Sequence, residues 1–80
     1  MAPTLLRSGP YRFFFYAGEE AVEPPHVHVT RDNLRAKYWL DPVRVADDGS
    51  FSPVELRRIR RVVEEHREQF LERWNDGIQK

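Results

Sequence analysis

The clearest pattern in the chain is an apolar stripe in its C-terminal third. Six residues recur at intervals of three or four positions: Leu56, Ile59, Val63, His66, Phe70 and Trp74. This spacing places them on one face of an amphipathic helix. Ser52 suits the N-cap, Pro53 suits the first helical position and Glu55 would complete a capping box. Gly77 is a natural terminator, so the pattern predicts one long helix over residues 53–75.

Alternating and aromatic segments before the helix predict β-strands. They are residues 11–16, 26–30 and 36–40, with a short edge strand at 43–45. Aromatic and β-branched residues with a period of two are typical of strands. Asp32 and Asn33 tolerate positive φ and suit a two-residue hairpin turn. The sequence therefore predicts an α+β fold, in which a short antiparallel meander of three to four strands packs on one long C-terminal helix.

The predicted hairpin turn fixes which side chains share a face of the sheet. With Asp32 and Asn33 in the turn, His28 lies opposite Lys37 and His26 lies opposite Trp39. One face then carries Val27, Val29, Ala36, Tyr38 and Leu40, and should pack on the helix. The other face carries His26, His28, Thr30, Arg35, Lys37 and Trp39. A slip of one residue in the pairing would exchange the two faces, so the sequence leaves the packed face open.

Composition narrows the class of protein. Eighty residues make a single domain, residues 1–80, and 40% of them are hydrophobic, which is enough for a core. Thirteen basic and 13 acidic residues cancel, so a partner must be recognised by a local patch. The absence of cysteine excludes disulfides and thiolate metal sites and favours a cytoplasmic location. No segment is long and apolar enough to suggest a membrane partner.

The pair His26 and His28 has three interpretations. Histidines two apart on a strand share a face and can hold a divalent metal ion, for which a third ligand would come from His66, Glu20 or Glu23. Lys37 opposite His28 opposes a cation and instead favours phosphate or nucleic acid, with Trp39 as a stacking surface. The pair can also be purely structural, with no cofactor. His66, which lies on the apolar stripe, is itself typical of a hydrogen-bonded core residue.

Four arginines crowd the first half of the predicted helix: Arg57, Arg58, Arg60 and Arg61. Cations near a helix N-terminus oppose the macrodipole, which favours a role in contacting phosphate or an acidic partner. Glu64 and Glu65 follow at i+4 positions and fit an ordinary solvated face equally well. No phosphate loop or nucleophile–histidine–acid arrangement is evident, which argues against an enzyme.

Several segments together resemble the bacterial domain-of-unknown-function 4160 family. They are the aromatic strand 11–16, the run Glu23-Pro24-Pro25-His26-Val27-His28-Val29, the strand 36–40, and the later His66, Leu71 and Trp74. The resemblance implies a small cytoplasmic protein whose gene lies beside that of another small protein, in pairs suspected of being toxin–antitoxin-like. It marks His26, His28, His66 and Trp74 as family positions, but it implies no activity.

The sequence supports three functional hypotheses. The first is a protein-interaction component of a toxin–antitoxin-like pair, with a small co-encoded protein as partner. The second is a nucleic-acid-binding toxin or ribonuclease that uses the histidine face. The third is a metal-binding protein based on His26 and His28. The candidate functional residues are His26, His28, Lys37, Trp39, His66 and Trp74.

Overall fold

The computed structural model describes residues 4–16, 18–19 and 22–76 of the chain. Within these ranges, five β-strands precede two α-helices. Their bounds are β1 Thr4–Ser8, β2 Tyr11–Phe14, β3 His26–Arg31, β4 Leu34–Leu40, β5 Val43–Asp47, α1 Pro53–Glu65 and α2 Arg67–Asn75. The strands form one antiparallel sheet in the order β1-β2-β3-β4-β5. The α+β class and the meander are therefore confirmed.

The sheet has five strands, so the prediction of three to four was wrong. β1 was not predicted, and the short edge segment at 43–45 belongs to a strand of five residues. β1 gives a weak sequence signal because it is an edge strand whose side chains are exposed or only partly buried. Gly9, with a φ of +57°, provides the left-handed residue in the turn between β1 and β2.

The hairpin between β3 and β4 has the predicted register. His28 pairs with Lys37 and His26 pairs with Trp39, and Asp32 in the turn has a φ of +55°. The apolar face is also as predicted, since five side chains are each at most 1% exposed: Val27, Val29, Ala36, Tyr38 and Leu40. They pack with residues of both helices, including Ile59 and Phe70. The structure thus shows which face of the sheet packs on the helices, a point that the sequence left open.

Two helices carry the apolar stripe, where one long helix was predicted. His66 separates them, with φ −111° and ψ 13°. Its backbone N–H and its ring Nδ1 both donate to the Val62 carbonyl oxygen, at 3.1 and 2.9 Å. The backbone N–H of Phe70 also donates to the His66 carbonyl at 2.9 Å, so the break is confined to the backbone angles of this one residue. Neither helix of the described residues is long and apolar enough to cross a membrane, and Gly77 lies outside those residues.

A partly buried ion pair fastens the start of α1 to the sheet. Ser52 caps α1 as predicted, because its Oγ accepts a hydrogen bond from the Glu55 N–H. The Glu55 carboxylate does not complete the capping box. It accepts hydrogen bonds from the Tyr11 hydroxyl at 2.8 Å and from Arg31 Nε and Nη2 at 2.7 and 2.8 Å. Two neighbouring strands and the first turn of α1 are therefore joined at one carboxylate.

We expect Glu55 to contribute to acid stability. Hydrogen bonds from Arg31, and then from Tyr11, lower the pKa of Glu55 below its ordinary 4.5. A carboxyl group with a lowered folded-state pKa stabilises the protein above its unfolded pKa, and this stabilisation is lost as pH falls through the folded value. Urea unfolding of Glu55→Gln should therefore show a smaller loss of stability between pH 6 and pH 3 than the parent protein. Glu64→Gln, which alters the exposed Arg60–Glu64 pair, should retain the parent's acid dependence.

Candidate metal centre

Three potential ligand side chains converge at the start of β3. The Nε2 atom of His26 lies 3.0 Å from Glu19 Oε1, and the Nε2 atom of His28 lies 3.1 and 2.9 Å from the two Glu19 oxygens. One ligand atom from each residue lies within 4.8 Å of the other two. Two imidazole nitrogens and a carboxylate oxygen are a common donor set for zinc in proteins.

Local structure brings these three residues together. His26 and His28 are two positions apart in β3, so they share the face opposite the main core, and their ring centroids are 5.1 Å apart. The loop after β2 places the Glu19 carboxylate beside these two histidines. Its Oε1 accepts a hydrogen bond from the Tyr16 N–H, and its backbone carbonyl accepts from the N–H groups of Val22 and Glu23. Glu19 is thus fixed by both its side chain and its backbone.

His26 has one ring nitrogen satisfied and one without a hydrogen-bond partner. Its Nδ1 lies 3.0 Å from the Pro24 carbonyl oxygen, which can only accept, so Nδ1 carries the hydrogen. Its Nε2 is buried and has no hydrogen-bond partner. Glu19 Oε1 is close enough to this nitrogen, but the angles between them are not those of a hydrogen bond. Buried polar atoms without partners are rare and commonly indicate an ion or water at that position.

Aromatic rings close the inner side of the cluster. The ring centroid of Trp74, from α2, lies 4.9 Å from that of His26, and Trp39 lies 5.7 Å away on the adjacent strand. Phe14 stacks on His28 at 5.4 Å. As a result His26 is 0% exposed, whereas the side chains of Glu19 and His28 remain 18% and 12% exposed. Among the described residues, the cluster is therefore exposed to solvent on the side of Glu19 and His28.

The electrostatics of the cluster favour the ligand forms of these side chains. Burial lowers the pKa of His28, and this effect outweighs the opposing influence of Glu19. Burial alone would raise the pKa of Glu19, but its contacts with His28 and His26 outweigh burial and lower it. Metal ions bind the neutral imidazole and the ionised carboxylate, which are the forms that these shifts favour.

Lys37 and Glu23 form the rim of the cluster. The Lys37 ammonium contacts Glu23 Oε1 and lies 4.7 Å from the centroid of the Trp39 ring. Glu23 Oε1 is also 3.8 Å from His26 Nδ1. Lys37 was predicted to oppose a cation at the histidines and to lower their pKa values. Its charge does contribute to the lowered pKa of His28, after burial, and its ammonium is also paired with Glu23. Hydrogen bonding to Lys37 lowers the pKa of Glu23, which keeps this carboxylate ionised.

Five of the six candidate residues lie close together in the structure. They are His26, His28, Lys37, Trp39 and Trp74. His66 is placed differently: its Nδ1 binds the Val62 carbonyl and its ring lies beside Phe70. His66, one of the three candidates for a third ligand, therefore lies outside the cluster of potential ligands found among the described residues.

The third potential ligand atom in the cluster belongs instead to Glu19, which the sequence placed in the loop but did not single out as a ligand. Of the two predicted loop ligands, Glu23 binds Lys37, and Glu20 lies outside the described residues. The only signal for Glu19 was its membership of the acidic run after Gly18. A loop carboxylate has no periodicity that would show where its side chain points.

The four helical arginines lie away from the histidine pair, on exposed positions of α1: Arg57, Arg58, Arg60 and Arg61. Arg60 makes the predicted i,i+4 pair with Glu64, with 3.2 Å between Arg60 Nε and Glu64 Oε2. The corresponding pair between Arg61 and Glu65 is not formed among the described residues. These arginines and the histidines therefore do not form one phosphate-binding surface.

Comparison with known proteins identifies a family without a defined activity. No curated protein and no solved structure matches the chain significantly. The family model described as domain of unknown function (DUF4160) matches residues 11–75. This range begins at β2 and ends with α2, and it includes the whole Glu19–His26–His28 cluster. The chain therefore belongs to the DUF4160 family.

Proposed function

We propose that this domain binds one divalent transition-metal ion, of which zinc is the best fit, through Glu19, His26 and His28. The observation that carries the proposal is the buried Nε2 atom of His26, which has no hydrogen-bond partner and lies beside a carboxylate. With Nδ1 donating to the Pro24 carbonyl, the Nε2 of an uncharged ring presents a lone pair. Two lone-pair-bearing atoms 3.0 Å apart repel each other unless a proton or a cation lies between them.

The donor set and its surroundings favour a metal ion of the zinc class. Imidazole nitrogens suit Zn²⁺ and related ions, whereas Ca²⁺ and Mg²⁺ prefer all-oxygen sites. Bonds of about 2.0–2.1 Å in a tetrahedron place ligand atoms about 3.3 Å apart. The separations between Glu19 and the two histidine nitrogens are close to this, at 2.9–3.1 Å, and the ligand atoms all lie within 4.8 Å of one another. A metal-binding histidine also commonly donates its other ring N–H to a backbone carbonyl, as His26 does to Pro24.

Titration with Co²⁺, which gives visible absorption when bound at a zinc-type site, provides the first test. Purified protein freed of metal by a chelator should bind one equivalent of Co²⁺ and release it to Zn²⁺. At a free Zn²⁺ concentration of 100 times Kd, mass action should raise the free energy of unfolding by about 2.7 kcal/mol. Calorimetry and urea unfolding with and without Zn²⁺ measure the two effects.

Matched carboxylate variants make this test specific. Glu19→Gln should weaken Co²⁺ binding strongly, while Glu23→Gln should leave the stoichiometry at one, because Glu23 is engaged with Lys37 rather than with the cluster. The opposing model is a His26 imidazolium paired with the Glu19 carboxylate. Nitrogen NMR shifts of a doubly protonated His26 ring, together with no uptake of Co²⁺ at neutral pH, would exclude the metal site.

A second candidate, the protein-interaction role in a toxin–antitoxin-like pair, is supported by β5. This strand pairs with β4 on one side and ends the described sheet on the other, and its Val45 is 43% exposed. Open edge strands are common places for a partner strand to add. We propose a small co-encoded protein as the partner and the cytoplasm as the location.

Affinity purification with the neighbouring gene co-expressed tests this second candidate. A stoichiometric small protein should copurify, and Val45→Lys should reduce its recovery more than Val54→Lys, which changes an exposed valine on α1. A protein that purifies alone and does not respond to its encoded neighbour would contradict the interaction role. Recovery of RNA without a protein partner would instead support the nucleic-acid alternative.

A further inference from the structure

Three protein ligand atoms leave a tetrahedral ion with one further coordination position. The existence of this position rests on the proposed metal site, because it belongs to the bound ion. The cluster is closed on the side of His26 and retains exposure at Glu19 and His28. The remaining position therefore lies toward solvent. Lys37 is the residue that pairs with His28 across β3 and β4, so its side chain lies on the same face of the sheet, and its ammonium is paired with Glu23.

Charge counting indicates what kind of ligand suits this position. With uncharged imidazoles, the charged side chains around the cluster include two carboxylates, Glu19 and Glu23, and three cations, Lys37, Arg35 and Arg12. Arg12 lies 4.5 Å from the centroid of the Phe14 ring that stacks on His28. Arg35 lies near because it donates to the Tyr16 hydroxyl, and the Tyr16 ring is 4.8 Å from His28. A divalent ion adds two further positive charges, so the neighbourhood carries an excess of positive charge. In a partly desolvated site such an excess favours an anion over water as the additional ligand.

The orientation of Lys37 favours an oxyanion in particular. Its ammonium already contacts one carboxylate oxygen, Glu23 Oε1, and its position over the Trp39 ring restricts it to the rim. An ammonium so placed can donate to a second oxygen of an anion whose first oxygen binds the metal ion. Glu23 acts in the opposite direction, because its carboxylate competes for Lys37 and repels an incoming anion.

We infer that the metal-loaded site binds an oxyanion of the phosphate class, with one oxygen on the metal ion and another accepting a hydrogen bond from Lys37. Free phosphate and the terminal phosphate of a nucleic acid share this chemistry. Lys37 and Glu23 then have opposite effects on anion binding: Lys37 strengthens it and Glu23 weakens it.

The test uses the full chain loaded with Co²⁺ and titrated with inorganic phosphate. A saturable change in the visible spectrum is expected. Lys37→Gln should weaken phosphate binding about tenfold, since one charge-assisted hydrogen bond is lost, while Glu23→Gln should strengthen it. Arg57→Gln, an equal change of charge on α1, should leave it unchanged. An oligonucleotide with a 5′-phosphate, compared with the same oligonucleotide lacking it, distinguishes a nucleic-acid source from free phosphate.

The outcomes separate this inference from the proposed function. If Co²⁺ binds but its spectrum does not respond to phosphate, the metal site stands and the anion site is refuted. If Glu23→Gln loses Co²⁺, then Glu23 supplies a protein ligand at the further position, and the inference is overturned. Equal phosphate binding by Lys37→Gln and Arg57→Gln would show general charge attraction and would also overturn it. If no Co²⁺ binds at all, both proposals are wrong.

Discussion

His26→Ala is expected to abolish stoichiometric Co²⁺ and Zn²⁺ binding, and His28→Ala to weaken it severely. Each substitution removes one of three ligand atoms, so the loss should exceed the ~10–100-fold cost that removal of an outer-shell partner typically causes. His66→Ala is the matched control. The Nδ1 atom of His66 also binds a backbone carbonyl, but the residue lies outside the cluster, and the affinity of this variant for Co²⁺ should equal that of the parent protein.

Folding must be separated from metal binding in this experiment, because His26 is fully buried. Circular dichroism of the chelator-treated variants establishes whether they fold. His28→Gln, at a position that is partly exposed, provides a second variant that keeps a polar side chain there. A folded His28 variant with parent-like Co²⁺ affinity would contradict the proposed site, as would a His66→Ala variant that lost the metal ion.

Phe13→Ala is expected to have the largest effect on stability. Phe13 is 0% exposed on the apolar face of the sheet, and its ring stacks on that of Phe70 from α2 at 5.9 Å. Truncation of a buried phenylalanine costs about 3–5 kcal/mol. An 80-residue domain has a total stability of about 4–12 kcal/mol at roughly 0.05–0.15 kcal/mol per residue. The variant should therefore lose a large fraction of the stability of the domain.

Urea denaturation at 25 °C measures this loss. Val54→Ala is the control, because Val54 is 48% exposed on α1 and such surface changes usually stay within about 0.5 kcal/mol. If Phe13→Ala is too unstable for a native baseline, Phe13→Leu keeps part of the buried area and should fall between the two. A loss below about 1 kcal/mol for Phe13→Ala would be incompatible with the packing of α2 on β2.

Much of the fold could be predicted from local patterns. Ser52 and Pro53 begin α1 as predicted, and Asp32 takes the positive φ of the hairpin turn. The alternation of β3 and β4 then gave the register and placed His26 and His28 on one face. These features were predictable because they depend on residues close in sequence, through propensity, capping and side-chain period.

The features that were missed depend on which atoms pair in the folded chain. β1 has few buried side chains and becomes a strand through pairing with β2. The helix break lies in the backbone angles of His66, whose Nδ1 donates to the Val62 carbonyl. Neither β1 nor the helix break can be predicted from hydrophobic periodicity. Periodicity indicates which side of an element is buried, and it does not indicate which atoms form hydrogen bonds.

The sequence by itself determined the α+β class, the central hairpin and the shared face of His26 and His28, because each depends on a local repeat. Only the tertiary structure decided that Glu19 rather than His66 joins the two histidines, and that Trp74 contributes to the burial of His26. A loop carboxylate is positioned by hydrogen bonds that form once the chain has folded. The environment of a buried nitrogen likewise depends on rings from α2 and β4, which are far from it in sequence.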